Sequence, residues 1–285
     1  MRIFLLFSAV ITALLLTGCR TTPSADKRLA KYAPEANEKE CFLFHKANRF
    51  KLHPNRQYAL FNTIPIQLPA APFYDAETKV YSVTPMTLRN IIDPLMTASI
   101  KPMSVKRILL DPGHGGHDGG APGKFSKEKD LNFLLALEIK QALLRAGFQV
   151  IMTRTQDVYL PLAQRVELVR KHKADLFISI HHNSSKTNLK AAGSECFACK
   201  TPRPEDTLLA ALVQEQLIRY TKRANRGVKF ANFAVLRNNP VPALLIEAGF
   251  ISNIEDEKVL NSPRFRQNMA AAVAEAVLNF AAKAR

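Results

Sequence analysis

The 285-residue chain has no tryptophan, only four cysteines, and 24 acidic side chains against 40 basic ones. Each shortage closes something off. Without tryptophan, an aromatic RNA-binding signature or a recognition-helix pattern, only charge speaks for nucleic acid, which is not an expected partner. The deficit of acids leaves a net charge of +16 and a pI of about 9.9, which favours an anionic polymer or an anionic membrane surface. No repeat of fixed period is visible. At 47% hydrophobic and 22% charged, the chain can build one large domain or two small ones with a real core, and wholesale disorder is excluded.

The cysteines are too few for a disulfide scaffold, and they divide unevenly. Cys196 and Cys199 form a C-x-x-C pair within Gly193–Cys199, a run that reads as a strand. Positions three apart on a strand face opposite ways, so these thiols do not meet. A tetrahedral thiolate zinc site also needs a second pair, which the chain lacks.

Arg2 precedes an apolar run, Ile3 to Leu16, that is too short and too early for a membrane span. It ends in Leu16-Thr17-Gly18-Cys19, which resembles the lipobox of bacterial lipoprotein signals. The resemblance implies a signal peptide over 1–18, cleavage before Cys19 and lipidation of its thiol. Arg20, where an aspartate would hold such a protein back, implies a periplasmic protein anchored to the outer membrane. Residues 19–40 are polar and read as a tether. Residues 41–105 form an N-terminal accessory region without an assignable function. It has strand-like alternation over Tyr58–Leu68 broken near Pro65, a short strand over Lys79–Val83, and a helix over Thr87–Met96.

From Lys106 the pattern is regular. Strands are expected over Arg107–Leu110, Phe148–Met152, Asp175–His181, Gly193–Ala198, Phe233–Leu236 and Ala243–Glu247. Helices are expected over Glu128–Ala146, with Ser126 as N-cap and Gly147 as stop, and over Leu162–His172, Asp206–Lys222 and Arg264–Ala282. This alternation predicts an α/β fold: an open twisted sheet flanked by helices on both faces, with a small N-terminal extension and the main domain over 106–285.

In such sheets functional groups gather beyond the carboxyl ends of the strands. His114 follows the first strand in the turn Asp111-Pro112-Gly113-His114-Gly115-Gly116. His181 and His182 end a second strand. Glu247 ends a third inside an apolar run, where an unpaired carboxylate is costly and must face a cation or a cleft. Glu128 opens the helix after the glycine-rich loop. Two histidines and a carboxylate can hold a catalytic zinc with one position open, and a further carboxylate can act as general base. His117 reads as solvated.

The segments Asp111–Gly116, Glu128–Asn132, Ser179–Asn183 and Leu245–Asn253, in this order, resemble those of bacterial zinc-dependent N-acetylmuramoyl-L-alanine amidases of the cell-separation type. Met152-Thr153-Arg154, Arg165, Ala174-Asp175 and Gly227-Val228 support the match, which runs from about Lys106 to the C-terminus. One departure is Gly119, where the family usually has proline. The resemblance implies Zn2+ on His114, Glu128 and His181, Glu247 as the catalytic carboxylate, and Asn183 and Arg154 near the substrate. The substrate would be peptidoglycan or its muropeptide fragments, cut between N-acetylmuramic acid and L-alanine. The segment after His181 has little room for the helical plug that several such amidases carry.

Two other readings compete. Ser126-Lys127-Glu128-Lys129 contains S-x-x-K, the acylation motif of penicillin-sensitive serine D,D-carboxypeptidases, with Ser126 as nucleophile and Lys129 as its partner. A non-catalytic wall-binding lipoprotein is the third.

Overall fold

The computed structural model describes residues 24–25 and 27–285. The expected signal peptide and the lipidation site Cys19 lie outside the described residues. In chain order the strands are β1 (Ser24–Ala25), β2 (Glu35–Ala36), β3 (Cys41–His45), β4 (Asn48–Leu52), β5 (Tyr58–Phe61), β6 (Ile64–Gln67), β7 (Phe73–Asp75), β8 (Val80–Ser82), β9 (Arg107–Pro112), β10 (Gln149–Met152), β11 (Leu176–Asn183), β12 (Ser194–Cys199), β13 (Asn225–Ala231) and β14 (Ala243–Phe250). The helices are α1 (Pro85–Thr87), α2 (Asp93–Thr97), α3 (Glu128–Arg145), α4 (Leu162–Lys171), α5 (Pro204–Thr221), α6 (Ala234–Arg237), α7 (Ile254–Leu260) and α8 (Pro263–Lys283). A π-turn over Leu88–Ile92 joins α1 to α2.

The main sheet runs β10-β9-β11-β14-β12-β13-β6-β5-β4-β3-β2. β10, β9, β11 and β14 are parallel, β12 reverses against β14, and β13 runs parallel to β12. Period-two alternation sorts the side chains onto two faces. Ile108, Leu110, Ile178, Ile180, Leu244 and Ile246 join a large core cluster, while Leu109, Phe177 and Leu245 join a second. The large cluster is closed by α3, α5 and α8, with Leu135, Leu209, Val273 and Phe280 fully buried. Each such side chain stabilises the fold by about 1.5–3 kcal/mol. Val166 and Val169 of α4 and Val235 and Leu236 of α6 close the other. The expected sheet with helices on both faces is therefore present, as a mixed sheet. Cys196 packs in the first cluster and Cys199 in the second, both free, so the C-x-x-C thiols face apart as the spacing requires.

Residues 41–67 are not set apart from this sheet. The hairpins β3–β4 and β5–β6 continue it through the pair Val228↔Ile66, and Cys41, Leu43, Phe50, Leu52, Ala59 and Ile66 lie in the same core cluster. The break in Tyr58–Leu68 falls at Asn62, in the left-handed region with φ 52°, and Pro65 sits inside β6.

Two local expectations are corrected. Residues 233–236 are not a strand: Leu236 and Arg237 donate back to the Phe233 carbonyl and form the single turn α6. Four apolar residues are too few to separate a period of 2 from one of 3.6. The sheet position is taken instead by β13, whose Asn-Arg-Gly-Val-Lys-Phe-Ala sequence is too polar to announce itself. Ser126 does not cap α3; Lys127 occupies the cap position without a side-chain bond, and the Ser126 hydroxyl donates to Glu257 at 2.9 Å. No helix among the described residues is long and apolar enough to cross a membrane.

Candidate functional site

The parallel strands β9, β11 and β14 end side by side, so the residues that follow them share one cleft of about 480 Å³. His114, Glu128, His181, Asn183 and Glu247 all line it. The turn after β9 is tied to β11 by the Gly113 amide, which donates to the Ile180 carbonyl at 3.0 Å. His114 sits in the left-handed region at φ 61°. Arg165 holds it there. This buried guanidinium pairs with Asp111 at 2.8 Å and donates to the Pro112 and His114 carbonyls at 3.0 and 2.9 Å. Asp111 in turn accepts from Thr153 and Ser179. Every polar group of this buried cluster that fixes the turn is matched, as burial demands.

The ligand atoms of His114, Glu128 and His181 lie within 4.8 Å of one another. His114 Nε2 is 3.2 Å and His181 Nδ1 2.9 Å from Glu128 Oε1. These spacings are close to the roughly 3.3 Å edge of a tetrahedron whose metal–ligand bonds are about 2.0 Å, so the donor set fits a zinc-like cation. The other His114 nitrogen, Nδ1, is bonded to Asp118 Oδ2 at 2.8 Å, which fixes the ring and leaves Nε2 facing the group. A Cβ on Gly113 would come within 2.2 Å of the His181 ring, so that glycine makes room for the histidine itself.

Electrostatics agree with a built site. Burial alone would raise the Glu128 carboxyl, but the hydrogen bonds and charges of His181 and His114 hold it well below the usual carboxylate range. Burial opposes charging His114, yet Glu128 and Asp118 outweigh it and raise its pKa. Glu247 behaves oppositely. Burial, then the charges of Glu128 and Glu195, push its carboxyl well above the usual range. Its Oε2 is buried without a hydrogen-bond partner. His181 and Glu247 are register neighbours on β11 and β14 and so share a face. His182 turns the other way, is 3% exposed, and bonds Asn132 Oδ1 through Nδ1 at 2.7 Å. Burial lowers its pKa to about 3 and keeps it neutral.

Other expected residues fall elsewhere. Arg154 is buried away from the cleft lining, and its guanidinium donates to the Pro112, Gly113 and Lys129 carbonyls. It holds the ligand turn from beneath. Ser126 and Lys129 are not joined: the Ser126 hydroxyl binds Glu257 and Asn261, while Lys129 Nζ reaches Gly116 and Asp157. The S-x-x-K pair therefore assembles no nucleophile. His117 is exposed and stacks on Tyr159, with ring centroids 4.2 Å apart. At Gly119 a Cβ would meet nothing, so the departure from proline disturbs no contact.

Sequence reasoning missed four supporting groups. Asp118 orients His114 and Asn132 holds His182. Glu257, fully buried, accepts from the amides of Lys124, Phe125 and Ser126 and clamps the loop before Glu128. Glu195, 2% exposed on β12, binds Asn183, Arg226 and Lys229. Asp118 alone carried a local signal, as a carboxylate four residues after a candidate ligand.

Residues 108–279 match the family described as N-acetylmuramoyl-L-alanine amidase. An uncharacterised cell wall amidase of Bacillus anthracis is 36% identical over 61% of this chain, but the match spans only 35% of that protein. The N-acetylmuramoyl-L-alanine amidase AmiA of Escherichia coli K12 is 34% identical over 61% of this chain and 75% of its own length. A solved N-acetylmuramoyl-L-alanine amidase from Clostridium difficile 630 superposes with a TM-score of 0.60 at 33% identity, over 62% of this chain and 97% of that one. The catalytic domain of CwlV from Bacillus (Paenibacillus) polymyxa gives 0.58 at 31% identity, over 62% and 98%. With the family match covering more than half of its residues, the chain belongs to the N-acetylmuramoyl-L-alanine amidase family of cell-wall hydrolases.

Proposed function

We propose that the protein is a zinc hydrolase that cleaves the amide between N-acetylmuramic acid and L-alanine in peptidoglycan or its fragments. The observation that carries this reading is the unpartnered Glu247 Oε2, buried in the same cleft as the His114–Glu128–His181 group. A carboxylate is stable there only opposite a cation or a reacting proton.

His114, Glu128 and His181 would hold the metal. When bound, it supplies Lewis acidity, polarising the scissile carbonyl and lowering the pKa of water toward ~7. Glu247 takes the proton of the attacking water and returns it to the departing L-alanyl amine. Burial raises its pKa, which favours keeping the proton once it is taken. Asp118 keeps the His114 ring in the orientation that leaves Nε2 facing the group, and Asn183, which lines the cleft, would contact the substrate. The chain passes from β11 to β12 through residues 184–193 without a helix, which supports a cleft open to substrate without an activating partner.

Glu247→Gln tests the assignment. The variant keeps metal stoichiometry and loses amide hydrolysis by about 10²-fold or more, the scale of a positioned general base. Wild-type turnover by this variant would remove Glu247 from the mechanism.

Export and anchoring complete the proposal. The Leu16–Cys19 lipobox supports lipidation at Cys19 and an outer-membrane location on the periplasmic side. Labelled fatty acid incorporated by the full chain and lost in Cys19→Ser is the expected result. Labelling of both would move the anchor elsewhere.

A further inference from the structure

Beyond Glu247, at the margin of the cleft, the sheet continues into β12 and β13. On β14 and β12, Glu247 faces Glu195 and Leu245 faces Phe197 in antiparallel register, so all four lie on one face of the sheet. Leu245 and Glu247 line the cleft, and Phe197 stacks edge-on against Phe233, another lining residue, at 5.2 Å. The next strand, β13, brings up Arg226 and Lys229. Arg226 Nε and Lys229 Nζ both bind Glu195 Oε2, at 2.7 and 2.6 Å, while Glu195 Oε1 accepts from Asn183 Nδ2 at 2.8 Å.

This arrangement sets two cations beside two carboxylates, Glu195 and its strand neighbour Glu247, and leaves hydrogen-bond donors over. Glu195 is only 2% exposed and requires a counter-charge, and the charge of Lys229 acts on Glu247 as well. The two cations remain partly exposed, with side chains 35% and 29% accessible. No other hydrogen bond from the Arg226 or Lys229 side chain is present in the described residues, so the guanidinium Nη atoms and two ammonium protons are unused. The Arg226 guanidinium is held over the Phe250 ring at 4.7 Å, and the Lys229 ammonium lies 5.7 Å from the Phe197 ring centroid. Both heads are thus set in place by aromatic surfaces and one buried carboxylate. The strand order places them on the side of Glu247 away from β11 and the histidine it supplies.

We infer that Arg226 and Lys229, seated on Glu195 beside Glu247, form a receiving site for a carboxylate of the peptide released by the reaction. The inference rests on the amidase reading and adds which end of the substrate lies over β12 and β13. The free carboxylate of the second peptide residue accepts from the unused N–H groups, and Asn183 links that contact to the strand that carries His181. The glycan then lies toward the opposite wall, where Tyr159 and Leu162 line the cleft. The pair acts as a specificity device: it rewards an anionic peptide and gives nothing to a neutral one.

The test compares two muramyl tripeptides that differ at one group. In one the second residue carries a free carboxylate; in the other that carboxylate is a carboxamide. The full-length metal-loaded protein should cleave the first with a KM lower by about tenfold or more, the scale of a charge-assisted hydrogen bond against a neutral one. Lys229→Met and Arg226→Met, each leaving one cation on Glu195, should shrink the ratio of the two KM values toward one. Equal KM values in the wild type would overturn the inference, and need no variant to read. A preference that survives both substitutions would overturn it too. Cleavage of neither tripeptide by wild-type protein that also leaves polymeric peptidoglycan intact would instead defeat the amidase reading.

Discussion

At the scale of single residues, the site is held by what its neighbours leave out as much as by what they supply. Gly113 carries no Cβ because the His181 ring stands where it would be. Gly113→Ala should therefore displace His181 and cut bound zinc by at least about tenfold, the effect of disturbing a ligand's support, while the circular dichroism spectrum stays native. Full metal occupancy in that variant would contradict the crowding argument. Protons compete for the same ligands. Glu128 and Asp118 outweigh burial and raise the pKa of His114, so the metal-free protein holds a proton there to a higher pH than a free imidazole does. Metal must displace it, and affinity should rise with pH by about tenfold per unit below that raised pKa. It should flatten above it. Calorimetric titration from pH 6 to 8 reads this directly; a flat profile below pH 7 would show that His114 is neutral.

Elements explain why some of this was legible and some was not. Arg107–Leu110, Leu176–His181 and Ala243–Glu247 are apolar runs ended by polar residues, so both the strands and the groups beyond their ends could be read from the chain. Tertiary partners with no local pattern could not. Glu257 lies in the short helix α7, yet it accepts the Lys124, Phe125 and Ser126 amides more than 120 residues earlier and the Ser126 hydroxyl as well. That grip, and not an N-cap by Ser126, sets the start of α3 and hence Glu128. Glu257→Gln should cost about 1–3 kcal/mol from the weakened buried acceptor and weaken metal binding. Urea unfolding and metal titration give the two numbers, and unchanged values for both would make the clamp incidental. The strand β13 was missed for a related reason: a register shift against β12 breaks its alternation, and Arg226 and Lys229 are polar because both serve a buried carboxylate on that strand.

For the whole molecule, the N-terminal hairpins and the catalytic strands form one sheet and share one core cluster, so residues 41–67 support the domain that carries the site. The fold gathers His114 from the turn after β9, Glu128 from α3, His181 from β11 and Glu247 from β14 into a single cleft, and leaves the serine–lysine pair unjoined. The central claim is that one metal-centred site performs one amide cleavage. Mass spectrometry of peptidoglycan digested by the purified protein, before and after chelation, tests it most directly. The account predicts free peptides beginning with an L-alanyl amine and glycans retaining their lactyl groups, abolished by chelator and restored by zinc. Products lacking only terminal D-alanine, or amide cleavage that persists undiminished after the metal is removed, would contradict it.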